Sequence, residues 1–231
     1  MTRTVGIIGG MGPAATADLM TKLVAETPAA RDQDHIRVIV DSNPAIPDRT
    51  EAILANGPSP APLIVESARL LESAGADFLV MACNTAHTYV AEIRSAVGIP
   101  FLSIIDATVA EVLSLHGGRT VGILATTACL TAGMYQEGFA DAGVAVVTLE
   151  PDRQAVLMET IESIKASGSS PEAVAGIGEC VEWLSSAGAQ VVVAGCTEVP
   201  LVLSDGGALP LVSSTDALAR ATVAYALGQS A

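Results

Sequence analysis

SAGADFLVMAC (73–83) and SAGAQVVVAGC (186–196) decide the fold. Each opens on Ser-Ala-Gly-Ala, runs through a short apolar stretch and ends on a cysteine, and the two lie 113 residues apart. Two further pairs repeat in the same order. VGIIGG (5–10) matches VGILAT (121–126) at an offset of 116, and IPFLSIIDA (99–107) matches LPLVSSTDA (209–217) at an offset of 110. Three matches in order at nearly constant spacing indicate an ancient duplication into two similar α/β lobes.

The remaining pattern agrees. Short apolar runs at 5–10, 36–42, 78–83, 101–105, 120–126, 144–150, 191–196 and 209–213 read as buried parallel strands. Ala-rich helical stretches separate them, near 14–27, 60–75, 85–96, 107–115, 131–142, 152–167, 171–187 and 215–228. Such alternation is the signature of βαβ units. The expected architecture is α/β: two similar lobes, each a parallel sheet flanked by helices, related by a pseudo-twofold duplication. The active site is expected in the cleft between the lobes. The expected divisions are an N-terminal lobe over 1–106, a C-terminal lobe over 107–213, and a last helix over 214–231 that packs back on the first lobe. The Pro-rich segment NPAIPDRTEAILANGPSPAP (43–62) reads as a long loop with a function of its own.

Composition narrows the function. Half of the 231 residues are hydrophobic but only 3% are aromatic, so the core is built from Ala, Val, Leu and Ile. The net charge of −14 comes without any basic run, which argues against nucleic acid or an anionic membrane as partner. An anionic ligand must therefore be held by a few local cations and backbone N–H groups. The opening MTRTVGIIGG leads directly into a strand pattern, with no secretory signal and no membrane-spanning run. The cysteines at 83, 129, 180 and 196 form no CxxC pair and no zinc-like spacing. The expectation is a cytoplasmic protein with reduced thiols and no metal.

The duplication places Cys83 and Cys196 at equivalent strand ends, each just before a helix. Ligands of open α/β sheets bind there, and a helix N-terminus favours a thiolate. Two thiols on opposite walls of a cleft suit racemisation, which removes the Cα proton from one face and returns a proton to the other. A thiol can act as acid or base because its ordinary pKa of about 8.5 can be tuned toward working pH. The competing reading is a buried structural cysteine, which Cys129 and Cys180 fit.

GIIGGMGPAAT (6–16), NPAIPDRT (43–50), ACNTAH (82–87) and GCTEVPLVL (195–203) together resemble the aspartate racemase branch of the aspartate/glutamate racemase family. The resemblance covers essentially the whole chain. It implies a two-lobed α/β fold, Cys83 and Cys196 as the catalytic pair, no pyridoxal phosphate or other cofactor, and a homodimer. Glu198 stands where the glutamate branch carries histidine, and GGMGP stands in place of an Asp-Ser-Gly opening; both point to the aspartate branch. Glu198 either tunes Cys196 as part of the catalytic machinery or is simply an acid favoured at a helix start.

An acidic amino-acid substrate needs donors for two carboxylates. Asn84 and Thr85 after Cys83, and Thr197 after Cys196, lie where a strand turns into a helix and suit an α-carboxylate, although such residues also cap helices. Arg49 offers a planar fork for the second carboxylate. Lys165 resembles a second cationic contact, or is a favourable lysine in a last helical turn. GIIGGMGP lacks both GxGxxG and the Walker lysine, so dinucleotide binding is rejected. Its Gly10 and Met11 are instead expected to approach the substrate. Thr126, with Thr127, occupies the matching loop of the second lobe, where Ala128 and Cys129 replace the family's usual Gly-Thr pair. His87 could relay protons or be structural.

Competing functions remain. A hydantoin racemase, a maleate isomerase or a decarboxylase could use the same scaffold. A carboxylate-binding module would tolerate loss of both cysteines, and a thiol redox protein would need the sulfurs at disulfide distance.

Overall fold

The computed structural model describes residues 2–203 and 206–229. The chain divides into two compact units. One is built from the segments up to Ala107 and from Thr215 onward, and the other is Thr108–Ser214.

The first unit carries a parallel sheet in the order β2-β1-β3, from β1 (Val5–Gly9), β2 (Val38–Ser42) and β3 (Phe78–Met81). Its helices are α1 (Pro13–Glu26), α2 (Arg49–Leu54), α3 (Ala61–Ser73), α4 (Val90–Ala96) and the start of α5 (Ile104–His116). The second unit has a parallel sheet in the order β5-β4-β6-β7, from β4 (Val121–Leu124), β5 (Val146–Thr148), β6 (Val191–Ala194) and β7 (Leu211–Ser213). Its helices are α6 (Thr127–Thr131), α7 (Met134–Asp141), α8 (Pro151–Ser167) and α9 (Pro171–Ser186). The last helix, α10 (Ser214–Ala226), places Tyr225 edge-on to Phe78 with ring centres 4.8 Å apart, and Asp216 at 3.0 Å from Lys22.

The repeat seen in the sequence persists in the packing. Val5 pairs with Phe78 as Val121 pairs with Val191. The Ser-Ala-Gly-Ala motif is a helix stop in both units. Gly75 and Gly188 take left-handed φ values of 93° and 97°, which a side chain would resist. Ala76 and Ala189 then donate back to the carbonyls of Leu71 and Leu184, closing the last turns of α3 and α9. Gly6 and Gly122 answer this arrangement. A Cβ on Gly6 would lie 2.9 Å from Ala76 Cβ, and one on Gly122 would lie 3.0 Å from Ala189 Cβ. The glycines let each helix end sit directly on its central strand.

Three expectations need correction. FLSII (101–105) is not a strand: Phe101 makes a single bridge to Leu79, and α5 begins at Ile104. Its counterpart in the second unit extends the same pairing into β7. The segment 43–62 is not all loop, because Asp48 accepts from Glu51 N–H at 2.8 Å and nucleates α2. The helix expected over 131–142 starts later, as α7 over Met134–Asp141, because α6 ends at Thr131 and Gly133 takes a φ of 72°. No helix among the described residues is long and apolar enough to cross a membrane.

Candidate active site

In the first unit, Cys83 follows β3 and is 6% exposed. It shares a packed cluster with Met11, Ile46, Met81 and Ala86, so the β1 loop and the strand end meet. Asn84 stands at the start of a 3-10 turn over Thr85–Tyr89, yet its side chain makes no cap hydrogen bond, which sets aside the capping alternative for that residue. Asn84 and Thr85 are both buried.

His87 is held at both ring nitrogens. Nδ1 lies 2.8 Å from the Cys83 carbonyl, and Nε2 accepts from Ile104 N–H at 2.9 Å. Because Nε2 is the acceptor, Nδ1 carries the proton. Burial lowers the pKa to about 4, against a smaller raising effect of the Cys83 carbonyl. The ring is therefore neutral and fully engaged near pH 7. It fastens the Cys83 backbone to the first turn of α5 and does not relay protons.

Arg49 opens α2, and its fork donates to the carbonyls of Pro47 at 3.1 Å and Met11 at 3.3 Å. Its buried Nε has no acceptor. Burial and the Glu92 charge raise the Tyr89 phenol pKa, while the Arg49 charge opposes them, so the guanidinium lies near the turn that follows Cys83. Gly10 adopts a φ of 91°, and a Cβ there would overlap the backbone of Asn43. Its N–H donates to Thr16 Oγ1 at 2.9 Å. The structure thus brings Gly10, Met11, Arg49 and Cys83 into one neighbourhood.

In the second unit, Cys196 follows β6 through Gly195 and is 5% exposed. Its Sγ donates to Glu198 Oε2 at 3.0 Å, and Thr197 Oγ1 donates to the same oxygen at 3.3 Å. Glu198 is 4% exposed and makes no side-chain cap bond, so it is not a simple helix-start acid. Burial pushes the Cys196 thiol well above its ordinary pKa, and the Glu198 charge and hydrogen bond add to this. The Lys165 charge acts in the opposite direction and is the smallest influence. Lys165 itself is exposed, in the last turn of α8. Thr126 caps α6 by accepting from Cys129 N–H at 3.1 Å.

None of the four cysteines is in a disulfide and all are buried, with Cys129 on α6 and Cys180 on α9. Among the described residues, no group of three or more His, Cys, Asp or Glu could hold a metal ion. Two residues escaped the sequence reading. Tyr135 is fully buried and sits against Gly195, where an added Cβ would be 2.9 Å from its ring. Gln154 is buried beside the turn after β4. A polar residue inside the apolar stripe Leu157, Ile161, Ile164 was the available signal for Gln154. Tyr135 carried no comparable signal.

The chain is similar to known proteins. The profile of the family described as Asp/Glu/hydantoin racemase matches residues 8–222. The chain is 28% identical over 224 residues to the broad specificity amino-acid racemase RacX of Bacillus subtilis, covering 95% of this chain and 96% of that protein. It superposes on the aspartate racemase of Picrophilus torridus with a TM-score of 0.88 and 35% identity, covering 97% of this chain and 94% of that one. An aspartate racemase homologue from Pyrococcus horikoshii gives a TM-score of 0.78 at 25% identity, covering 97% and 99%.

Proposed function

The chain belongs to the Asp/Glu/hydantoin racemase family, and on that premise we propose that it racemises an acidic amino acid, aspartate ahead of glutamate, by two-thiol proton transfer without a cofactor. The observation that carries this reading is the pair of free cysteines at equivalent positions. Each is buried just past the strand that pairs with the first strand of its unit, β3 with β1 and β6 with β4. The preference for aspartate is supported by the 35% identity to an aspartate racemase over nearly the whole chain.

The chemistry assigns a resting state. Cys196, held as a thiol by burial and by Glu198, is the acid of the first turnover, and Cys83 is its partner base. Cys83 takes the proton from Cα, and the electron pair left on carbon delocalises into the α-carboxylate. Cys196 delivers its proton to the opposite face and becomes the thiolate. The reverse reaction starts from the opposite protonation states, with Cys196 as the base and Cys83 as the acid. The buried Nε of Arg49, without an acceptor, suits one arm of a substrate carboxylate. A homodimer and a cytoplasmic setting belong to the same reading.

Purified, pyridoxal-free protein is incubated with each enantiomer of aspartate and glutamate in D2O. Deuterium at Cα together with loss of optical rotation is the expected result. Cys83→Ala and Cys196→Ala should each abolish turnover. Normal racemisation by both variants would remove the two-thiol mechanism.

A further inference from the structure

We propose that Gln154 is a positioning residue for substrate binding, keeping the turn after β4 in register with the helix that carries Lys165. The inference rests on the racemase reading above and adds to it a residue outside both cysteine loops.

Gln154 lies in the first turn of α8 and is 8% exposed. Its Nε2 donates to the Ala125 carbonyl at 2.9 Å and approaches Thr127 Oγ1 at 3.3 Å. One turn further on, Met158 Sδ receives the Thr127 N–H at 3.4 Å. Residues four apart share a helix face, so one face of α8 grips the turn on both sides of Thr126. Lys165 lies about three turns along the same helix. A shift of α8 against this turn would change the separation between Thr126 and Lys165, the two candidate substrate contacts that the second unit contributes from outside the Cys196 loop.

Packing alone does not select an amide here. The other buried apolar positions of the stripe are Leu157, Ile161 and Ile164, and an apolar side chain at 154 would continue it. The amide instead leaves its Oε1 buried without a partner, which is unfavourable unless the donor end is needed. What the donor end holds is the backbone at the mouth of β4.

The test compares the wild-type protein with Gln154→Met, which fills the same space without a donor. A purely structural role predicts a lower Tm with kinetics unchanged for the folded fraction. The positioning role predicts an unchanged or raised Tm and amide exchange that quickens over residues 126–129. It also predicts a KM raised by about five-fold or more, the size of one lost hydrogen bond, while kcat changes by less than about two-fold. An unchanged KM, or a loss confined to kcat, overturns it. Should Gln154→Met not fold, Gln154→Leu removes the donor with an apolar side chain of similar size, and the same measurements apply. If the wild-type protein exchanges no Cα proton, the racemase reading fails by itself. Amide exchange over 126–129 then decides the tether, and unchanged exchange in the variant overturns it.

Discussion

The thiol of Cys196 donates to the carboxylate of Glu198 across 3.0 Å, although only one residue separates them in the chain. The backbone turn after β6 is what permits this, because both side chains leave it toward the same buried space. The carboxylate therefore stabilises the protonated sulfur, and its loss should free the thiolate. In Glu198→Gln, the pH profile of Cys196 alkylation, followed by peptide mapping, should move to lower pH. Burial remains in the variant, so the midpoint should stay above that of an exposed thiol. Racemase kcat should fall on the order of 10- to 100-fold, less than the loss expected for removing an acid/base group outright. A profile that stays in place or moves to higher pH would show that Glu198 does not govern the sulfur.

Arg49 ties two loop carbonyls together through one planar group, those of Pro47 and Met11. Lysine carries a compact charge on a flexible stem and cannot reproduce the fork. Arg49→Lys should lower kcat/KM for the preferred substrate by about 10- to 100-fold, mainly through KM, as charged hydrogen bonds are lost. Steady-state kinetics with both enantiomers decides this, and an unaltered KM would remove Arg49 from the binding site.

His87 gives the fold a pH dependence of known sign. Its pKa is lowered from 6.5 to about 4 in the folded chain, so between those values the unfolded chain binds more protons. Stability is fully present above about pH 6.5 and is lost as pH falls toward 4, by about 1.4 kcal/mol per pH unit for a single group. Denaturant melts between pH 7 and pH 4.5 should show a shallower acid limb in His87→Gln than in the wild-type protein. Parallel limbs in the two proteins would contradict a buried neutral imidazole.

Gly195 and Tyr135 should be energetically coupled. A Cβ at 195 would lie 2.9 Å from the ring, and the tyrosine is fully buried. Gly195→Ala should cost about 1–3 kcal/mol from overpacking. The same change in a Tyr135→Leu background should cost measurably less, because the obstacle has been removed. Equal costs in the two backgrounds would show that the glycine serves another purpose.

Several features were readable before any coordinates. The repeated Ser-Ala-Gly-Ala motif, the glycine at the second position of each first strand and the strand-end cysteines all reappear at matching places in the two units. Such local rules act over a few residues, through left-handed glycine, chain direction and apolar runs. FLSII was misread because a buried apolar run five residues long satisfies a strand and a helix start equally. The α2 helix was hidden by the prolines and polar residues around it, and only the Asp48 cap marks it.

The one-dimensional pattern determined the duplication, the parallel α/β class and the two cysteines that share a structural position. Those follow from periodicity and short-range stereochemistry, which every few residues carry with them. Tertiary structure alone decided that His87 is a neutral buckle, that Glu198 faces Cys196, and that Gln154 and Tyr135 brace the strand mouths of the second unit. Each of those roles depends on burial and on partners brought together by folding, and desolvation and hydrogen-bond geometry exist only once the chain has closed around them.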